Sequence, residues 1–148
     1  MNSMSYIPIV LPLIVGFAST IVCPMSKDSG SVVKIRPNPG VFSIAWSILY
    51  LLVGISWYMS RNSVTSMRSK SLVDTFYVLL NIVFFLWVYV YSCKNNKKLS
   101  VYVIITALTA SLWCYTVASD IGKMLIVPLI GWLVLATFLN VLEVEKKE

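Results

Sequence analysis

Residues 72–93 read Leu72-Val73-Asp74-Thr75-Phe76-Tyr77-Val78-Leu79-Leu80-Asn81-Ile82-Val83-Phe84-Phe85-Leu86-Trp87-Val88-Tyr89-Val90-Tyr91-Ser92-Cys93. Asp74, near the start, is the only charge. A transmembrane helix needs roughly 20 apolar residues in a row. A barrel strand alternates in apolar character over about ten residues, and this stretch does not alternate. It therefore reads as a membrane-spanning helix. Four more runs share its character: residues 6–25, 41–60, 99–119 and 124–142. Five spans within 148 residues leave short loops and no room for a separate soluble domain. The expected fold is all-α, an integral membrane bundle of five transmembrane helices forming one domain.

Composition excludes the competing classes. Apolar residues make up 58% of the chain, charged residues 12%, and the mean hydropathy is +0.82. Soluble domains carry about 25% charged residues, so a water-soluble globule and a disordered chain are both excluded. The net charge of +6 comes from 12 basic and 6 acidic residues. The basic residues sit between apolar runs, as loops at an anionic membrane face do, so no nucleic-acid partner is expected. Membrane lipids are the expected surroundings. There is no histidine, which removes Ser–His–Asp catalysis, most zinc sites and a His-ligated haem. No metal site and no catalytic residue is expected. Cys23, Cys93 and Cys114 lie far from any CxxC spacing and read as buried, inert thiols.

No Lys or Arg precedes the first run, which argues for a retained helix over a signal peptide. Residues 26–40, with Pro37, Pro39 and Gly40, form the longest loop. It is expected to fold over one end of the bundle as a cap. Loop one, loop three and the tail hold eight Lys and Arg, against four in loop two and loop four. The positive-inside rule then puts loop one and the C-terminus in the cytosol.

Polar and large aromatic residues inside the spans are the candidate functional groups. Asn81, in mid-helix, needs a partner that lipid cannot supply. It reads either as an interhelical lock or as a group that orients a ligand. Asn140 falls near the end of the fifth run, at the interface or inside. Asp74 suits the start of its helix, four residues after Lys70. The other acids sit in the first loop (Asp28), at a turn (Asp120) or in the tail, which argues against a proton-coupled pump. Trp57, Tyr58, Tyr89, Tyr91 and Tyr6 fit an interfacial belt. Trp46, Trp132 and the deeper Trp113 fit it less well. Flat side chains inside a bundle either pack a core or wall a pocket for a flat apolar ligand.

Two stretches carry a family signal: Phe42-Ser-Ile-Ala-Trp46-Ser-Ile-Leu49-Tyr50-Leu-Leu-Val-Gly54, and Pro128-Leu-Ile-Gly-Trp132-Leu-Val-Leu-Ala136-Thr-Phe-Leu139-Asn140. Together they resemble the translocator protein (TspO/MBR) family, also called peripheral benzodiazepine receptors. Its patterns are F-x-x-x-W-x-x-L-Y-x-x-x-G on helix two and P-Y-x-x-W-x-x-x-A-x-x-L-N on helix five. Asn81 stands where the family has its helix-three asparagine. The chain departs from the family at Ile35 and Asn38, in place of a loop-one tryptophan and proline. It departs again at Leu129 and Ile82, in place of a tyrosine and a tryptophan. The C-terminal sterol-recognition tyrosine is missing from residues 141–148, although a loose sterol pattern occurs at Leu86…Tyr91…Lys94 and at Val53…Tyr58…Arg61.

The resemblance implies a binding or transport protein for flat apolar molecules: porphyrins, sterols and benzodiazepine-like compounds. The ligand-contacting set it suggests is Phe42, Trp46, Asn81, Tyr115, Trp132, Ala136, Leu139 and Asn140. A porphyrin or haem would be a ligand, with no resident cofactor. The alternatives are an enzyme that degrades tetrapyrroles photo-oxidatively and a non-catalytic membrane scaffold. By analogy a eukaryotic member sits in the mitochondrial outer membrane and a bacterial one in the cell membrane. A homodimer is an open possibility. The topology gives the first test. In a Cys-free background, Ser29→Cys and Asn96→Cys should react with a membrane-impermeant maleimide from the cytosolic side, and Asn62→Cys should not. Labelling of Asn62→Cys from that side would invert the orientation.

Overall fold

The computed structural model describes residues 7–23, 39–64, 66–94 and 96–147, without the side chains of 39–43, 67 and 145–147. The capping loop expected at residues 26–40 lies almost wholly outside them. Five helices follow in chain order: α1 (Ile7–Val22), α2 (Pro39–Ser63), α3 (Met67–Val88), α4 (Lys97–Val117) and α5 (Asp120–Lys147). α3 runs on into a π-helical segment, Tyr89–Cys93. Among the described residues, three stretches are long and apolar enough to cross a membrane: Arg68–Cys93, Lys97–Val117 and Asp120–Val144. The apolar α1 is shorter. The protein is a multi-pass helical membrane bundle.

Most of the helices outrun their apolar runs, because backbone pairing continues into polar flanks where water or a cap takes over. The expected second loop shrinks to the few residues between Ser63 and Met67. Arg61, Arg68 and Lys70 are helical. Ser66 caps α3 by accepting the Ser69 amide proton at 3.0 Å, the usual way to satisfy an orphan donor of the first turn. Asn96 does the same for α4 through the amide of Leu99. Pro12 and Pro128 lie within helices, as neighbouring helices and ordered local geometry allow in membranes.

The buried faces show how the helices pack. On α3 the buried positions include Val73, Tyr77, Leu80, Phe84, Trp87 and Tyr91; on α4, Ser100, Ile104, Ala107, Ser111 and Cys114. On α5 they include Gly122, Ile126, Leu129, Leu133, Ala136, Asn140 and Glu143. The spacing alternates four and three residues, a mean period of 3.5, which is the pattern of left-handed knobs-into-holes packing. α5 packs between α2 and α4, α3 lies between α4 and α1, and α1 closes against α2. Small residues allow close approach. A Cβ at Gly54 would land on the Ile9 carbonyl of α1, and one at Gly16 would meet the Tyr50 ring. Residues facing outward are mainly aliphatic, among them Ile14, Ile44, Ile82, Ile105 and Val127.

One end of the bundle is tied by hydrogen bonds. Ser56 Oγ lies 2.7 Å from Tyr77 Oη and 2.8 Å from the Gly122 carbonyl. Its single proton goes to the carbonyl, which can only accept, so Tyr77 donates to Ser56. Ser60 Oγ accepts from the Ser119 amide at 3.1 Å. These contacts join α2, α3 and the start of α5. Beside them, Trp57 Nε1 donates to Asp74 Oδ1 at 2.8 Å, and Arg61 Nε reaches both Asp74 oxygens at 3.1 Å. Asp74 is thus a crosslink between α2 and α3 and makes no helix cap.

Two aromatic assignments change. Trp57 does not stand at the lipid interface: it is buried and stacks on Tyr77 with ring centroids 5.9 Å apart. Trp113, at 52% exposed, faces outward and touches Phe76. Depth along a helix is legible from position in the sequence, whereas the face is set by neighbours. Trp57→Ala should therefore cost about 3–5 kcal/mol of stability in detergent. Trp113→Ala, whose ring exchanges lipid for lipid, should cost under about 1 kcal/mol. Thermal unfolding of the two variants checks the contrast, and equal losses would contradict it.

Candidate functional site

The opposite end holds the aromatic cluster. It lies where α1 and α3 finish, α2 and α4 begin, and α5 nears its end. Trp46 is its centre. Its ring centroid lies 5.5 Å from Tyr50, 5.8 Å from Phe84, 6.0 Å from Trp87 and 6.2 Å from Trp132. Trp87 is nearly parallel to Trp46, and Phe84 and Trp132 meet it edge-on, arrangements that the ring quadrupole favours. Trp87 in turn stacks on Tyr91 at 4.9 Å. Four residues separate these two, so they are neighbours on one helix face.

A polar set closes the cluster towards the helix ends. Trp87 Nε1 donates to Asn140 Oδ1 at 3.3 Å, while Asn140 Nδ2 donates to the Ala136 carbonyl at 2.7 Å. Ser100 Oγ lies 3.1 Å from Asn140 Oδ1 and 2.6 Å from the Lys97 carbonyl. It has one proton to share between them, and the carbonyl is the nearer acceptor. Tyr91 Oη donates to Glu143 Oε2 at 2.7 Å. Lys97 Nζ donates to the Tyr91 carbonyl at 2.8 Å and stands 3.4 Å from the Tyr91 ring centroid, a cation–π contact.

The residues expected from sequence divide by location. Trp46, Trp132, Ala136, Leu139 and Asn140 belong to this end, and all but Trp132 are buried. Trp132 meets Trp46 edge-on and so joins α5 to α2. Asn81 is buried on the same face of α3, one turn before Phe84. It makes no interhelical bond among the described residues: its Nδ2 donates to the Tyr77 carbonyl at 2.7 Å, four residues back on its own helix. That carbonyl can only accept, so Oδ1 points away from it, and Oδ1 is buried with no donor among the described residues. Tyr115 is not brought to the cluster. It sits at the other end of α4, partly exposed, with Lys123 Nζ 5.5 Å from its ring centroid. The side chain of Phe42 is outside the described ones, as is Tyr6.

Sequence reasoning left Tyr50, Phe84 and Trp87 out of the candidate set, and it misread three further contributors. Tyr91 reads as part of an interfacial belt but is buried, turned inward by the π-helical segment. With its ring inside, the loose sterol pattern Leu86…Tyr91…Lys94 does not present its tyrosine to lipid. Glu143 reads as tail, yet α5 continues past it and it is 2% exposed. The signal available was its spacing, three residues after Asn140 and seven after Ala136. The third is covalent. Cys23 and Cys93 form a disulfide, with Cα atoms 5.2 Å apart, and only Cys114 is a free, buried thiol. The expectation of three inert thiols fails because the ends of α1 and α3 meet across 70 residues of sequence. Spacing could not show that.

The model of one family, TspO/MBR, matches residues 8–142. The chain belongs to the TspO/MBR family. A comparison with curated proteins found no match. The matched segment takes in all of the aromatic cluster and stops one residue short of Glu143. In this TspO/MBR protein, the Tyr91–Glu143 bond therefore joins a residue inside the match to one just outside it. Tyr91→Phe removes a buried donor to a carboxyl group and should cost about 1–3 kcal/mol. Asn140→Ala should cost a similar amount by stranding the Trp87 indole N–H. Chemical denaturation in detergent measures both, and a loss below about 0.5 kcal/mol for either would show that its bond is not formed.

Proposed function

We propose that this TspO/MBR protein binds flat, apolar small molecules of the porphyrin, sterol or benzodiazepine-like class at the Trp46 cluster. The observation that carries the reading is the contact of Trp46 with four other rings within about 6 Å. A flat conjugated ligand can replace ring–ring contacts with ring–ligand contacts of the same kind, so inserting it costs little cohesion. The buried Asn81 Oδ1 is an acceptor suited to a ligand N–H or O–H, and a group that completes its hydrogen bonding would be held in one orientation. Ala136 is small and buried, so a bulkier side chain there should obstruct entry.

A second reading rests on the edge-on contact of Trp46 and Trp132. An indole can be oxidised by one electron and its radical can in turn oxidise a neighbour, so a photo-oxidative reaction on a bound tetrapyrrole, with dioxygen as the terminal oxidant, would run through this pair. A scaffold that modulates other membrane proteins without binding such ligands is the third.

Titration of purified protein with protoporphyrin, followed by tryptophan quenching and absorbance, separates the three. Saturable quenching with unchanged absorbance supports binding. Loss of the tetrapyrrole bands under light supports turnover, and no quenching leaves the scaffold. Trp46→Ala and Trp132→Ala should each weaken binding by roughly 1–3 kcal/mol. Gly131→Ala, outward-facing with nothing near its Cβ, should leave it unchanged. Equal weakening by all three would mean that the rings act only as packing groups.

A further inference from the structure

The Cys23–Cys93 disulfide sits at the aromatic end of the bundle, and its position suggests a role beyond stability. Cys23 directly follows α1 and is buried; Cys93 is the last residue of the π-helical segment and is exposed. That segment carries Tyr91, which stacks on Trp87 and donates to Glu143. Its wider turns are visible in the bonds from the Lys94 amide to the Tyr89 carbonyl and from the Asn96 amide to the Val90 carbonyl. π-helical turns are rare and concentrate at functional sites. Among the described residues α1 packs chiefly against α2 and less against α3, and the disulfide is the covalent tie between it and the segment that positions Tyr91.

By sequence, the segments that join the helices at this end, with the tail, hold eight Lys and Arg against four in the others, the mark of the cytosolic side. Cytosolic thiols are kept reduced, and disulfides formed there are mostly transient and redox-sensing. A purely structural staple belongs on the other face.

We propose that Cys23 and Cys93 form a redox latch that tunes the aromatic cluster. The step is ordinary thiol–disulfide exchange with a dithiol reductant. A reductant thiolate attacks the exposed Cys93 Sγ, the Cys23–Cys93 bond breaks, and Cys23 leaves as a thiolate that takes up a proton. The second reductant thiol then resolves the mixed disulfide, leaving Cys93 as a thiol and the reductant as its own disulfide. Two electrons pass to the protein and one bond is exchanged for another. Without the tie, the π-helical segment loses its covalent hold on α1, and Tyr91 loses the restraint that keeps it in register with Trp87 and Glu143. The effect on ligand affinity rests on the binding function proposed above; the change in the aromatic cluster does not.

The test uses the full chain in detergent, air-oxidised and then treated with dithiothreitol. Denaturing alkylation followed by intact-mass measurement should find one alkyl group before reduction, on Cys114, and three after it. Near-UV circular dichroism and tryptophan emission should change on reduction and return with excess oxidised glutathione once the dithiothreitol is removed. Protoporphyrin affinity should differ by about fivefold or more between the two states. The double variant Cys23→Ser/Cys93→Ser should resemble the reduced protein and ignore dithiothreitol. Because the wild-type chain is itself switched by reductant, the test holds even if that variant folds poorly. Three alkyl groups before reduction would overturn the latch, as would aromatic spectra that reduction leaves unchanged. Absence of porphyrin binding in both states, with the spectra still responding, would overturn the binding function and support the latch.

Discussion

Lipid offers neither a hydrogen-bond donor nor an acceptor, and every polar group of this chain that enters the bilayer must find its partner inside the bundle. The architecture follows from that constraint. Ser19, Ser56, Ser60, Ser100, Ser111, Asn81, Asn140, Glu143 and the indole N–H groups of Trp57 and Trp87 turn inward, and the residues that face out are mainly aliphatic. Because the polar side chains lie on the 3.5-residue seam, satisfying them also sets which face of each helix is the packing face. Hydrophobic attraction between helices cannot do this, since a lipid tail is as apolar as leucine.

The polar groups are unevenly distributed, and the two ends of the bundle differ as a result. At one end, Ser56, Ser60, Tyr77 and the turn before α5 make a short-range net, with the Arg61–Asp74 pair beside it. That pair is about one-third exposed, so its Coulomb attraction is largely screened, and Trp57 contributes more through its buried ring. At the other end, the partners are large flat rings with hydrogen bonds only at their rims. α5 runs through both ends, offering Gly122 to the first and Trp132, Asn140 and Glu143 to the second. The first end is built for rigidity. The second has contacts that a flat molecule can imitate, which is why ligand binding is proposed there.

The π-helical end of α3 connects the cluster to the edge of the molecule. It takes Tyr91 from the surface implied by its place near the end of a span and sets it against Trp87 and Glu143. The same turn brings Cys93 to Cys23. Burial of Glu143 and the disulfide are both consequences of where this segment ends, and neither has a counterpart in the family's two sequence patterns.

Sequence alone determined the fold class and the family, because each depends on composition and local pattern along the chain. Twenty apolar residues cross a bilayer whatever their neighbours, and the Phe42–Gly54 and Pro128–Asn140 patterns are local. It also singled out Trp46, Trp132, Ala136 and Asn140, whose side chains the structure then gathers at one end. What it could not determine was which way each helix faces. Core and lipid-facing residues in a membrane are equally apolar, so hydrophobic periodicity, the usual guide to a buried face, is nearly silent here. Trp57 and Tyr91 therefore looked interfacial and are internal; Trp113 looked internal and faces out; Tyr115 fell among the candidates and lies at the far end. Only the packed helices decide such questions, because a side chain's face is a relation between elements distant in sequence. The pairing of Cys23 with Cys93 and the bond from Tyr91 to Glu143 are relations of the same kind.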